Sequence, residues 1–386
     1  MTFGRFIGCA LPLLLSMAIG CDVLGPASIR SSRAYYNEAV QQTGKEQLLL
    51  NIVRIRYADP PLFFDITSVT SQLSFSGTAG SNSNFPHFGG YSVTPGVSAA
   101  FSETPTISYA PLQGDNFVKQ MMSPVSLEVI VSLYRAGWDV RMLLAMCVDR
   151  FGTELYNSAP CGGSGRFARV LSEFGALQET GALDIAVRKG DTVDHRPGTQ
   201  PIGPDELIFV IDPTAAPDEK RQAVVDAQAR LRGLLPVASA SSRPAQTRPS
   251  HEEGTEETAI QQFAFHVHHS ANGCEQETVD TPALRTRSVL GAMNYIADGV
   301  RVPARDAMDA EERKMLPGCR PIVAVHCASS APGDAYVAVP YRGQWFYIPD
   351  NDPQTKASFM LLFEIMGAQA AGLQNAGLLL TLPLTK

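Results

Sequence analysis

Apolar and polar residues alternate with period two over one long stretch of the chain. Tyr91, Val93, Pro95, Val97, Ala99 and Phe101 interleave with Ser92, Thr94, Gly96, Ser98, Ala100 and Ser102, which places the two sets on opposite sides of a strand. Upstream, Val69, Leu73 and Phe75, with Ser71 as the exception, interleave with Ser68, Thr70, Gln72, Ser74 and Ser76. Together they predict a long amphipathic β-hairpin over residues 66–109. Its connection would run from Gly77 to Gly90, where glycines and Ser81, Asn82, Ser83 and Asn84 supply turn chemistry. No Asp, Glu, Lys or Arg lies between Ile66 and Ser102, in a chain that is 18% charged. Such a hairpin does not stand alone in water. The rest of the protein, hairpins of other copies, or lipid must cover its apolar side, and the expected contact residues are Val69, Leu73, Phe75, Tyr91, Val93, Val97 and Phe101.

Helical patterns flank the hairpin. Ser32 to Gln42 reads as a helix, and Thr43-Gly44-Lys45-Glu46 as a capping box before a second, Lys45 to Tyr57, stopped by Asp59-Pro60-Pro61. After the hairpin comes a helical block. Ser123 caps a helix with Pro124 at its first position, running to Arg135; Asp139 caps Val140–Phe151; a third helix spans Arg166–Glu179; and Leu183–Val187 is a strand. Beyond it the pattern predicts strands at Leu207–Ile211 and Phe263–His268 around a helix at Asp218–Leu235. The last third has helices at Thr281–Ala297 and Pro353–Ala371 and strands at Ile322–Cys327, Ala335–Val339 and Gln344–Ile348, the last two joined by Tyr341-Arg342-Gly343, and Leu378–Leu382 closes the chain. The fold class expected is α+β: the hairpin, a helical block, and a C-terminal mixed sheet with helices on one side. Residues 21–190 and 191–386 form the two expected regions. A Ser-, Pro-, Arg- and Glu-rich insertion near 237–257 has the composition of a disordered loop.

The N-terminus adds an address. Arg5 precedes an apolar segment, Phe6 to Ile19, too short to span a bilayer, so residues 1–20 read as a signal peptide. Ala18-Ile19-Gly20-Cys21 resembles the lipobox of bacterial lipoproteins, with Ala18 where leucine is usual. The resemblance implies lipidation of Cys21 and tethering to a membrane surface without a span, in the cell envelope, with the outer membrane facing the periplasm favoured over the inner membrane. EQLLLNIVRIRYADPPLFF at Glu46–Phe64 and RGQWFYIPDNDPQTK at Arg342–Lys356 resemble blocks of a group of uncharacterised bacterial envelope proteins. That resemblance supports the envelope assignment and implies no activity.

Candidate chemistry is sparse. The net charge is −7 with no basic stripe, which, with export, argues against nucleic acid. Three short helices and a strand outline a winged-helix shape after the hairpin, and the same two facts oppose DNA binding there. Cys147, Cys161, Cys274, Cys319 and Cys327 permit disulfides, with Cys319–Cys327 and Cys147–Cys161 near enough in sequence, and their odd number leaves a thiol over. His266 and His268 share a strand face, with His269 and His326 nearby in pattern, but no carboxylate at strand spacing completes a metal set. Asp350, Asn351 and Asp352 are consecutive, unlike a calcium loop, and Asp352 suits a helix cap. Trp345 and Tyr347 could meet a glycan, though packing is the plainer reading. No nucleophile elbow or phosphate loop is present. No cofactor, metal or catalytic residue is therefore expected.

The function expected is that of a non-catalytic, lipid-anchored cell-envelope protein with a structural, binding or assembly role. The alternative is an oligomeric outer-membrane pore or secretion-channel component built from the hairpin over residues 66–109, similar in architecture to the curli secretion channel. An enzyme acting on envelope polymers is the least favoured reading. A homo-oligomer and other envelope proteins are the open partners.

Overall fold

The computed structural model describes residues 34–84, 92–111, 115–157, 165–189, 205–236, 260–267, 283–306, 320–370 and 380–383, the hairpin strands by backbone course and register. The fold is α+β. The chain divides into two compact units, one of residues 1–45, 62–113 and 375–386, the other of residues 46–61 and 114–374. The expected signal peptide, Cys21 and the insertion expected near 237–257 lie outside the described residues. No helix among those described is long and apolar enough to cross a membrane.

One continuous helix, α1, covers residues 34–56. The expected capping box does not break it. The Thr43 hydroxyl donates back to the carbonyls of Ala39 (2.9 Å) and Val40 (3.0 Å), as a hydroxyl inside a helix does. Burial of Leu48, Leu49, Ile52 and Val53 on the following turns outweighs the local cap signal.

In the first unit, β1 (Phe64–Asn84) and β2 (Ser92–Pro111) form an antiparallel hairpin, and β12 (Leu380–Pro383) adds to the outer edge of β2. The expected hairpin is present and longer than read from the sequence. Gly77 to Asn84 are strand, not connection. Their weak strand propensity is overridden by pairing with the alternating residues Ser92–Ala99. A register shift between Ile66 and Ser68 leaves Thr67 as an extra residue, a bulge near the base.

In the second unit a six-stranded sheet runs in the order β4-β3-β8-β7-β6-β5. Its strands are β3 (Val148–Phe151), β4 (Leu155–Tyr156), β5 (Leu183–Arg188), β6 (Glu206–Ile211), β7 (Gln261–Val267) and β8 (Ala283–Thr286). Only β7–β8 is parallel, so the sheet is mixed. The boundary expected between residues 190 and 191 falls inside it, because β5 and β6 pair from Leu183–Ile211 to Arg188–Glu206. The mixed sheet is thus central in the chain, and the C-terminal sheet, built of β9 (His326–Ala328), β10 (Ala335–Tyr341) and β11 (Gln344–Pro349) in the order β10-β11-β9, is purely antiparallel.

Helices α2 (Asp115–Met122), α3 (Leu127–Arg135), α4 (Val140–Cys147), α5 (Gly165–Glu179), α6 (Arg221–Leu234) and α7 (Val289–Ala297) complete this body with α8 (Pro353–Ala370). The core is aromatic at its centre. Phe167 and Phe174 of α5 meet Phe151 of β3, Phe209 of β6 and Phe265 of β7. Phe174 stacks on Phe209 at 4.5 Å and Phe151 lies 5.0 Å from Phe265 between ring centroids.

Several boundaries depart from expectation. The N-cap of α3 is Ser126, whose hydroxyl accepts from the Val129 N–H, while Ser123 donates to the Lys119 carbonyl behind α2. Asp139 caps α4 as expected, but the helix stops at Cys147 and Val148–Phe151 leave as β3. The helix expected over Thr281–Ala297 is β8 followed by α7, capped by Ser288. In the C-terminal sheet, β10 (Ala335–Tyr341) and β11 (Gln344–Pro349) turn at Arg342 and Gly343, both with positive φ (47° and 74°). Two consecutive positive φ values make the tight turn whose twist matches a hairpin, and glycine suits the second position.

Candidate functional site

The hairpin register decides which residues share a face, because directly paired positions lie on the same side of a sheet. Ser68–Ser108, Thr70–Thr106, Gln72–Thr104, Ser74–Ser102, Ser76–Ala100, Thr78–Ser98, Gly80–Gly96 and Asn82–Thr94 pair on one side. Apart from Ala100 and two glycines, each is polar and uncharged. Val69–Ile107, Leu73–Glu103, Phe75–Phe101, Ala79–Val97 and Ser83–Val93 pair on the other. A slip of one residue would have mixed the two sets. The expected contact residues Val69, Leu73, Phe75, Val93, Val97 and Phe101 therefore belong to one face; Tyr91 and Cys21 lie outside the described residues.

The register also changes how those residues are arranged. The runs Val69–Gly77 and Tyr91–Phe101, each about the length of a membrane-crossing strand, lie side by side only from Phe75–Phe101 to Gly77–Ala99. Val69–Gly77 faces Ile107–Ala99, and Val93 faces Ser83. The longest uncharged ladder is instead 74–84 with 92–102, bounded by Glu103 opposite Leu73. It is eleven positions long on each strand.

In the second unit, the two sequence blocks singled out above meet. Tyr57 and Asp59, just past α1, sit against the β10–β11 turn. The Tyr341 hydroxyl donates to the Asp59 carboxylate, Arg342 lies 3.1 Å from the same carboxylate, and its guanidinium stands 4.6 Å over the Tyr57 ring. Tyr57 packs edge-on against Phe346 and its hydroxyl donates to Asp306 at 2.9 Å. Burial, the bond to Asp306 and that carboxylate's charge push the Tyr57 phenol above its ordinary pKa. Cys327, whose thiol donates to Gln344 at 3.9 Å, is likewise raised, by burial and then by Asp306. Together these contacts join the 57–59 and 341–346 segments. The cluster was missed from sequence because its members are separated by nearly 300 positions; only the co-occurrence of the two blocks pointed to it.

A buried cluster of hydrogen bonds surrounds Arg287. Its guanidinium donates to the carbonyls of Ala145 (3.1 Å), Val148 (2.8 Å) and Asn157, lies 3.6 Å from Asp149, and covers the Tyr295 ring at 3.9 Å. Asn157 donates to the same two carbonyls, Ala145 and Val148, and accepts from the Tyr295 hydroxyl at 2.7 Å. Burial lowers the Arg287 pKa, opposed by Tyr295 and Asp149. These groups hold the α4–β3 junction against α7. Neighbouring Cys147 is fully enclosed, and burial pushes its thiol up to about 12.

The remaining sequence candidates separate. His266 is buried on β7, between Glu206 of β6 and Ala283 of β8 in register, whereas His326 is on β9 (His326–Ala328) of the other sheet, against Tyr347 at 5.6 Å. Burial, then Arg301, lowers the His326 pKa. His268 and His269 lie outside the described residues, as do Cys161, Cys274 and Cys319. Among the described residues no three His, Cys, Asp or Glu side chains group as a metal site would. Trp345 sits beside Phe346, which is fully buried on β11. Asp350 pairs with Lys356 at 2.6 Å.

Asp352 caps α8: its carboxylate accepts from the Thr355 hydroxyl (2.8 Å) and N–H (3.2 Å) and pairs with Arg320 at 2.9 Å. Burial alone would raise its pKa, but these bonds outweigh it and hold the carboxylate below its ordinary range. A depressed pKa in the folded state contributes stability above the unfolded-state value of about 3.9, lost as pH falls through the folded value. Asp352→Asn is therefore expected to reduce stability at pH 7 and to flatten its decline below about pH 4, measured by urea unfolding at pH 7 and pH 3.5.

No family model, curated protein or solved structure matches the chain.

Proposed function

We propose that the protein is a non-catalytic, lipid-anchored cell-envelope protein with an assembly role, whose hairpin joins those of other copies as an element of an oligomeric outer-membrane pore or secretion channel. The observation that carries this reading is the register. It aligns a hydroxyl-rich, uncharged face along both strands, opposite a face holding Phe75, Phe101, Val97 and Val93. A wet interior and a lipid-facing exterior require that division. The hairpin is also far longer than the usual strand of about 5–6 residues, with an uncharged ladder long enough for a tilted strand of about 9–11 residues to cross a bilayer. The lipid on Cys21, implied by the lipobox resemblance, would hold each copy at the membrane surface.

Deleting residues 66–102 tests the reading. The truncated chain is expected to keep the cooperative unfolding of the second unit and to lose oligomerisation in detergent. A truncated chain that keeps its native mass would place assembly elsewhere. One that no longer folds would make the hairpin part of the body's core.

A further inference from the structure

Resting on the assembly role proposed above, we infer that copies join head to tail, the outer edge of β1 pairing with the outer edge of β2 in the next copy, and that β12 confines this junction to the outer part of the hairpin. Among the described residues β1 pairs with β2 alone, and no strand among them adds to its other edge. The outer edge of β2 is covered only by β12, where Leu380–Pro383 pair with Tyr109–Thr106. That pairing is antiparallel. The β2 edge thus already accepts a strand running in the direction of β1, and residues 92–105 continue the same edge without a partner among the described residues.

A β1 strand from a second copy fits this vacancy in the sense that β12 has begun. It runs antiparallel to β2, extends the up-and-down order and leaves another free β1 edge at the far side. Repetition of one heterologous junction closes a ring when the rotation permits. Antiparallel pairing of two β1 edges would instead point the hairpins in opposite directions, which strands entering one membrane from one side do not allow. Each copy adds two strands, so the smallest barrels of about eight strands need about four copies.

β12 gives the junction its lower limit. It occupies β2 next to residues 106–109, below Glu103, and leaves free the span that includes the uncharged 92–102. The hairpin thereby divides into a neck, closed within each copy by β12, and a membrane-crossing part completed only by a neighbour.

Cysteine crosslinking tests this. Ser74→Cys is combined in turn with Ser92→Cys, Thr94→Cys and Ser98→Cys, and separately with Thr106→Cys and Ser108→Cys. None of these partners is paired with residue 74 inside one hairpin. After treatment of the membrane-extracted oligomer with a short bismaleimide, denaturing gels are expected to show a ladder of covalent species beyond the dimer for at least one of the first three. The wild-type and single-cysteine chains should stop at dimers or monomers, and the two neck combinations should give no ladder. Dimers alone from every double variant, in an oligomer of unchanged native mass, would overturn the head-to-tail junction while leaving the assembly role standing. A ladder from Thr106→Cys or Ser108→Cys equal to the others would overturn the limit set by β12. A monomeric native mass with no intermolecular product would remove the junction and the assembly role together.

Discussion

Replacing Arg287 by methionine is expected to destabilise the second unit by about 3 kcal/mol, because the change keeps most of the side-chain volume and removes a buried, multiply bonded charge. Three carbonyls receive its N–H groups, and the Asn157 carbonyl loses the donor that ties it to the β8–α7 connection. The carbonyls of Ala145 and Val148 keep the Asn157 amide, so the loss should be smaller than from removing both. The stacking on Tyr295 is lost as well. In a domain of this size the change corresponds to a fall in Tm on the order of 5–10 °C. Calorimetry of Arg287→Met beside Tyr295→Phe checks it. The tyrosine variant loses one hydrogen bond and is expected to cost about 1 kcal/mol, and the two together should cost less than their sum, since they act on one network. A methionine variant within 0.5 kcal/mol of the parent (on the order of a neutral surface change) would show that the knot does not hold the α4–β3 junction.

Gly299→Val is expected to be at least as damaging. A Cβ at residue 299 would stand 2.1 Å from the Val323 carbonyl oxygen and 2.9 Å from the Pro321 Cβ. Neither neighbour is the end of a flexible side chain. Val323 is fully buried, and the Gly299 carbonyl accepts from the Val325 N–H, so the two segments are fastened at the point of contact. The backbone would have to separate, at a cost of roughly 3 kcal/mol or more. Gly233→Ala, in α6 with open space around the added methyl, is the control, expected to be neutral or stabilising by up to about 1 kcal/mol. Urea unfolding of the two variants decides the matter. Equal midpoints would show that the loop at 321–325 yields where the close approach predicts it cannot.

These two positions illustrate what the sequence could and could not disclose. The period-two alternation of 91–101 needs no long-range information, and it identified the hairpin and its faces correctly. The tight turn at Tyr341-Arg342-Gly343 was legible for the same reason. Gly77–Asn84 read as a turn because glycine, serine and asparagine favour turns locally; their strand conformation comes from the partner strand. β3 and β8 were absorbed into helices on their flanks. Val148–Phe151 and Ala283–Thr286 are four residues each, and they become strands by pairing with each other across more than a hundred positions. The single helix over residues 34–56 shows the reverse error, a good capping box overruled by the burial of the turns beyond it. Nothing local marks Arg287 as buried, since arginine is ordinarily exposed, and nothing local shows that Gly299 touches Val323. Of the candidate site, the hairpin face was legible, while the offset of its two apolar runs appeared only with the register.

The most direct measurement is the native mass of the detergent-extracted mature protein beside a Cys21→Ser version. A hairpin shared among copies predicts a heat-sensitive assembly of at least about four chains, with the Cys21→Ser chain failing to reach the membrane where that assembly forms. A monomer whose membrane association disappears with Cys21 would contradict the shared barrel and leave a tethered domain in which each hairpin serves its own chain.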